Sequence, residues 1–66
     1  MTVTVNGKQR ELPDGSTGTD LLQELGIPAS TTVAEVNGEI VPREQFVERH
    51  LQTGDSIELV TIVGGG

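Results

Sequence analysis

The chain opens on Thr2-Val3-Thr4-Val5, where polar and apolar β-branched residues alternate with a period of two. That pattern writes a strand with one buried face and directs Val3 and Val5 to the core. Asn6-Gly7 follows at once. Both central positions of a two-residue hairpin turn need positive φ, which Asn and Gly tolerate, so a second strand over about Lys8 to Leu12 is expected to return antiparallel. Pro13-Asp14-Gly15-Ser16 is a turn cluster, after which the period changes. Thr19 is placed to cap a helix, Asp20 lies near its positive end, and Leu21, Leu22 and Leu25 form one apolar stripe. Gly26 ends this helix where a left-handed residue is wanted, and Pro28 prevents its return, which gives about two turns.

Thr31 to Val36 is rich in β-branched residues and leads into a second Asn-Gly pair, Asn37-Gly38, before Glu39-Ile40-Val41. This is a second hairpin, or a strand and a short return. Pro42 to Phe46 reads as a helical turn, with proline at a position that tolerates it and Phe46 reaching back to the core. Val47 to Leu51 is a candidate for a short edge strand. Thr53-Gly54-Asp55 is a turn, and Ser56 to Val63 is the longest strand signal in the chain. The order β-β-α-β-β-β lays out an α+β fold, a mixed sheet wrapped around one main helix, of the β-grasp or ubiquitin-like type. A right-handed crossover places the last strand beside the first, parallel to it, in the middle of the sheet. No repeat or linker interrupts the pattern, so residues 1–63 are expected to form one β-grasp domain and 64–66 a flexible C-terminal glycine tail.

Length and composition narrow what such a domain does. At 66 residues the chain is near the lower size for an independent core, and a domain of that size buries about 60% of the surface its unfolded chain exposes. Few side chains are left to line a catalytic cleft, so function is expected on the surface or at an end, and the chain is expected not to be an enzyme. There is no cysteine, which removes disulfides, thiolate chemistry and cysteine-based zinc sites. His50 is the single histidine and lacks company for a metal site. We expect no cofactor or metal to be held by this chain.

The formal charge of −6 repels nucleic-acid phosphates and anionic lipid, and Phe46 is the only aromatic side chain, so nucleic acid and membrane are not expected partners. Two readings of the charge stand: solubility, and steering toward a basic protein surface. The N-terminal residues lack the basic flank and apolar run of a signal peptide, and no segment approaches membrane-spanning length, which makes a cytoplasmic location the expectation.

The chemistry is expected at Gly64-Gly65-Gly66. Glycine loses the most freedom on ordering and adds no packing, so three in a row do not stabilise the body. Without β-carbons they make a thin arm able to thread a narrow channel and present the carboxylate of Gly66 to a nucleotide phosphate. A carboxylate is a poor acyl donor; joined to AMP it acquires a good leaving group, and sulfur or nitrogen nucleophiles then attack its carbonyl. The bland alternative is a frayed end. Against it stands the position of the glycines, directly after a strongly patterned strand.

Three stretches, Val36-Asn37-Gly38-Glu39-Ile40-Val41-Pro42-Arg43, Thr53-Gly54-Asp55-Ser56-Ile57-Glu58-Leu59-Val60 and the glycine end, give the chain a specific resemblance. Over nearly its whole length it resembles the sulfur carrier family of thiamin biosynthesis, a ubiquitin-like family whose members end in Gly-Gly. The resemblance implies that an E1-like activating enzyme, using ATP, adenylates Gly66. A persulfide from a sulfurtransferase then converts the terminus to a thiocarboxylate, whose sulfur goes to thiazole formation by a thiazole synthase. Gly65 and Gly66 match the family's functional pair, and Gly64 is an additional glycine that lengthens the arm.

In the final strand Ile57 and Leu59 are expected to face the helix, leaving Glu58, Val60 and Ile62 on the opposite face. These three form a candidate docking patch for the activating enzyme and the synthase, unless other elements cover them or leave them isolated. Arg10, Arg43 and Arg49 are expected to be solvated or in weak surface ion pairs. His50 is expected in a loop or edge strand, and Asp14 and Asp55 in turns where their side chains bond backbone amides. Other readings of the same tail are a subunit like the small subunit of molybdopterin synthase and a modifier joined through Gly66 to target lysines. From another class comes an interaction domain with an inert end.

Overall fold

In the computed structural model, which describes residues 1–62, the alternating opening segment is strand β1, Thr2–Val5, and its return is β2, Lys8–Glu11. Asn6 and Gly7 take φ of 49° and 81° between them, both positive as a tight hairpin requires. Helix α1 spans Gly18–Leu25, and a 3-10 turn, Ala29–Thr31, leads into β3, Thr32–Val36. Asn37 and Gly38, at φ 53° and 86°, turn the chain into β4, Glu39–Val41. The short helix α2, Arg43–Phe46, precedes β5, Ser56–Thr61. The sheet order is β2-β1-β5-β3-β4, with β5 parallel to β1 and antiparallel to β3. This is the expected β-grasp arrangement, with the last strand at the centre.

Helix α1 starts two residues before the sequence pattern suggests. Thr17, not Thr19, is the N-cap: its hydroxyl accepts from the Asp20 N–H at 3.4 Å, and Asp20 Oδ2 accepts from the Thr17 N–H at 2.9 Å. This reciprocal pair is a capping box with aspartate in the place usually taken by glutamate. Thr19 lies inside the first turn, where its hydroxyl donates to the Val47 carbonyl at 2.8 Å. At the other end Gly26 is left-handed at φ 68°, and the Ile27 N–H reaches the Leu22 carbonyl at 2.9 Å. The Leu22 and Gln23 carbonyls are thereby satisfied as the helix closes.

Val47–Leu51 is not a strand. The Val47 N–H donates to Arg43 O at 3.1 Å and the Arg49 N–H to Phe46 O at 3.1 Å, continuing the turn of α2, while Arg49 O accepts from Gly18 N–H at 3.0 Å. With its backbone committed to the two helices, the segment makes only an isolated bridge between His50 and Thr17. His50 is accordingly an exposed loop residue. Leu51 turns inward and is buried.

The core lies between α1 and the inner face of the sheet. Val3 and Val5 of β1, Leu21 and Leu22 of α1, Ala34 and Val36 of β3, Phe46, and Ile57 and Leu59 of β5 are all buried. Ile57 is fully enclosed at 0% exposure, and burying a side chain of that size contributes about 1.5–3 kcal/mol. Asp55 behaves as its turn suggests, with Oδ2 accepting from the Gln52 N–H at 2.9 Å. Asp14 differs. Its carboxylate meets the N-terminal ammonium at 3.2 Å rather than a backbone amide, because Pro13 O already takes both the Ser16 N–H and hydroxyl.

Candidate functional site

Strand β5 organises the face on which the sequence places the docking residues. Its side chains alternate: Ile57 and Leu59 point into the core, and Glu58, Val60 and Ile62 point outward. Val60 and Ile62 are 60% and 54% exposed, so no described element covers them. The strand is held on both sides. Toward β3 the register runs from Val36↔Ile57 to Thr32↔Thr61, and beyond it the Ile62 N–H donates to Thr31 O at 2.6 Å.

Toward β1 the backbone ladder is short, with Thr4 opposite Ser56 and Val5 opposite Ile57. The side chain of Asn6 extends it. Asn6 Oδ1 accepts from the Leu59 N–H at 2.8 Å, and Asn6 Nδ2 donates to the Leu59 carbonyl at 3.2 Å. The carboxamide thus stands in for one further strand residue, satisfying a donor and an acceptor that would otherwise lie unpaired. Asn37 does a similar task at the start of the strand, accepting from the Ser56 N–H at 2.9 Å through Oδ1 and donating to Asp55 Oδ1 at 3.1 Å. An aspartate turns a hairpin as well as an asparagine does, but it has no donor for either contact. That choice of amide over acid is the signal in the sequence for these clamps, and turn propensity alone does not expose it.

The apolar patch is wider than the final strand. Val33 is directly opposite Val60 in the β3–β5 register, and Glu35 is opposite both Glu58 on β5 and Ile40 on β4. Cross-strand partners share a face, so Val33, Ile40, Val60 and Glu58 all lie on the outer surface, with Ile40 at 71% exposure. Sequence reasoning passed over Val33 and Ile40. Alternation within β3 assigns Val33 outward once Ala34 and Val36 are assigned inward, but only the register brings it against Val60.

Gly64, Gly65 and Gly66 lie outside the described residues, which end at Ile62, one residue past β5. Among the described residues no group of His, Asp or Glu is arranged to hold a metal, and no helix is long and apolar enough to cross a membrane. The groove between the Pro13–Ser16 turn and α1 carries Asp14, Asp20 and Glu24, a charge of the wrong sign for a nucleotide phosphate. Arg10, Arg43 and Arg49 form no ion pair with another described residue.

The chain is similar to known proteins along its whole length. The model of the ThiS family matches residues 3–66. A thiazole synthase of Paramagnetospirillum magneticum is 35% identical over 66 residues, which are all of this chain and 20% of that protein; the chain thus spans a fifth of the length of that relative. The sulfur carrier protein ThiS of Escherichia coli K12 is 32% identical over 66 residues, with both chains covered in full. The crystal structure of the thiamine biosynthesis protein ThiS from Geobacter metallireducens superposes with a TM-score of 0.81 at 35% identity, covering 100% of each chain. An NMR solution structure of a thiamine biosynthesis protein from the same organism gives 0.74 at 35% identity, over all of this chain and 88% of that one.

Proposed function

The chain belongs to the ThiS family, and from that premise we propose that it is a sulfur carrier for thiazole formation in thiamin biosynthesis, with the carboxylate of Gly66 as its working group. It acts as a co-substrate of other enzymes. An E1-like enzyme holds ATP, and the Gly66 carboxylate attacks the α-phosphorus, releasing pyrophosphate and leaving an acyl adenylate. The terminal sulfur of a sulfurtransferase persulfide then attacks the acyl carbon and AMP departs. A thiol reduces the resulting acyl disulfide, supplying the two electrons that free the thiocarboxylate. Thiazole synthase takes up that sulfur.

One observation carries this reading: β5 is anchored on both sides and runs directly toward the glycine end. A surface recognised on the outer face of β5 is then held in fixed relation to Ile62, the last described residue before the glycine end. Glu58, Val60 and Ile62, extended by Val33 and Ile40, form that docking surface. Docking there leaves the chemistry to the partner's active site, which supplies the nucleotide this chain's acidic groove does not suit. The relative from Paramagnetospirillum magneticum, a thiazole synthase containing a stretch similar to this entire chain, supports a synthase as one partner.

Intact-mass spectrometry tests the proposal. The full chain, incubated with an E1-like enzyme, ATP, a sulfurtransferase and a sulfur donor, should exchange one oxygen for sulfur at Gly66. A variant lacking Gly65 and Gly66 should remain folded by circular dichroism and unchanged in mass. If a mixture that converts the Escherichia coli carrier leaves this chain unmodified, the assignment is wrong.

A further inference from the structure

The centre of the outer face holds two carboxylates in direct opposition. Glu35 of β3 and Glu58 of β5 are register partners. The Asn37 N–H donates to Ser56 O at 2.7 Å and the Ile62 N–H to Thr31 O at 2.6 Å, so the even-numbered residues of β5 are its hydrogen-bonding positions toward β3. Glu35 and Glu58 therefore form a hydrogen-bonded pair, with Cα atoms about 5.5 Å apart. Like charges so placed repel and weaken a sheet.

Nothing among the described residues offsets that repulsion. Neither carboxylate has an ion-pair partner there. Lys8 and Arg10 are opposite Val5 and Val3, which places them on the helix side of the sheet. Arg43 opens α2 and Arg49 lies in the loop after it. Two sides of the pair are apolar, with Ile40 beside Glu35 and Val33–Val60 at the next same-face position, while Ser56, Asn37 and Thr4 border it on the others.

Resting on the carrier function proposed above, we infer that the Glu35–Glu58 rung is the receptor for a guanidinium group of the docking protein, at the edge of the apolar patch formed by Val33, Ile40 and Val60. A guanidinium presents a planar fork of donors that serves two carboxylates at once. Covering the adjoining apolar patch removes water from that side and strengthens the attraction. A second copy of this chain does not fit, since two such faces in contact would bring four carboxylates together with no cation between them. The rung sacrifices stability of the free domain for recognition, and this separates it from a structural feature.

The full chain, fluorescently labelled, is titrated with the E1-like adenylating enzyme encoded by the same genome, without ATP so that binding is read apart from chemistry. Replacing both acids, Glu35→Gln with Glu58→Gln, should raise the urea midpoint of unfolding, weaken binding about tenfold and flatten the salt dependence of Kd. The pair Glu24→Gln with Glu44→Gln removes the same net charge away from the rung and should leave Kd near the wild-type value. The inference is overturned if the Glu35/Glu58 variant binds as tightly as wild type, if both pairs weaken binding equally, if wild type does not bind, or if wild type dimerises through this face. Adding ATP afterwards tests the carrier function separately: binding without adenylate formation defeats that function and leaves the receptor standing.

Discussion

Gly18 shows how closely single residues are fitted in this domain. It is the first residue of α1, and a β-carbon there would overlap the carbonyl oxygen of Phe46 and lie 2.8 Å from its Cδ2. Alanine at that position gains up to about 1 kcal/mol of helix propensity. It also forces apart α1 and the α2 turn, and overpacking of that kind costs about 1–3 kcal/mol or more. Overpacking wins, because the obstacle includes backbone. Gly18→Ala is therefore expected to lose about 2 kcal/mol in urea unfolding, and an unchanged midpoint would show that the Phe46 turn yields freely. The same few residues mark a limit of sequence reading. Thr17 and Thr19 both precede the leucine stripe, and periodicity does not distinguish them; the Thr17–Asp20 spacing does, through the capping box.

At the scale of elements, the contact between β1 and β5 is short in backbone bonds and is lengthened by a side chain. Asn6→Gly keeps a residue suited to φ 49° and removes both carboxamide bonds to Leu59. Two backbone groups of the central strand then lose their partner, and the variant should be about 1–3 kcal/mol less stable. Hydrogen exchange should report the loss most strongly at the Leu59 amide; uniform change across the sheet would contradict a local clamp. The Asn6-Gly7 turn is legible in the sequence because its geometry is local. The clamp is not, because its two halves are 53 residues apart. Distance in the chain also explains Val47–Leu51, whose composition suits an edge strand but whose amides and carbonyls are claimed by α1 and α2.

For the molecule as a whole, topology was the most legible feature. Two Asn-Gly hairpins, one crossing helix and a long final strand leave the right-handed crossover little choice but a central β5. The outward set Glu58, Val60 and Ile62 also followed from a period of two, whereas Val33 and Ile40 needed the register. The chemistry assigned to Gly64, Gly65 and Gly66 came from composition and family resemblance, and those positions lie outside the described residues. A division of labour between the two faces makes a prediction. Val60→Thr with Ile62→Thr keeps β-branching and should change stability by no more than about 0.5 kcal/mol, as exposed substitutions do. Thiocarboxylate formation, followed by mass over time, should slow about tenfold if these residues anchor docking; an unaltered rate would move the anchor elsewhere.

The central position of β5 also has a mechanical consequence. If an enzyme draws in the glycine end as proposed above, a pull along the axis of β5 would run at right angles to the bonds β5 makes with β1 and β3. Those bonds then share the load in shear and do not unzip one after another. Under such a pull the domain would serve as a rigid handle, and tension would not be relieved by peeling β5 away from its neighbours.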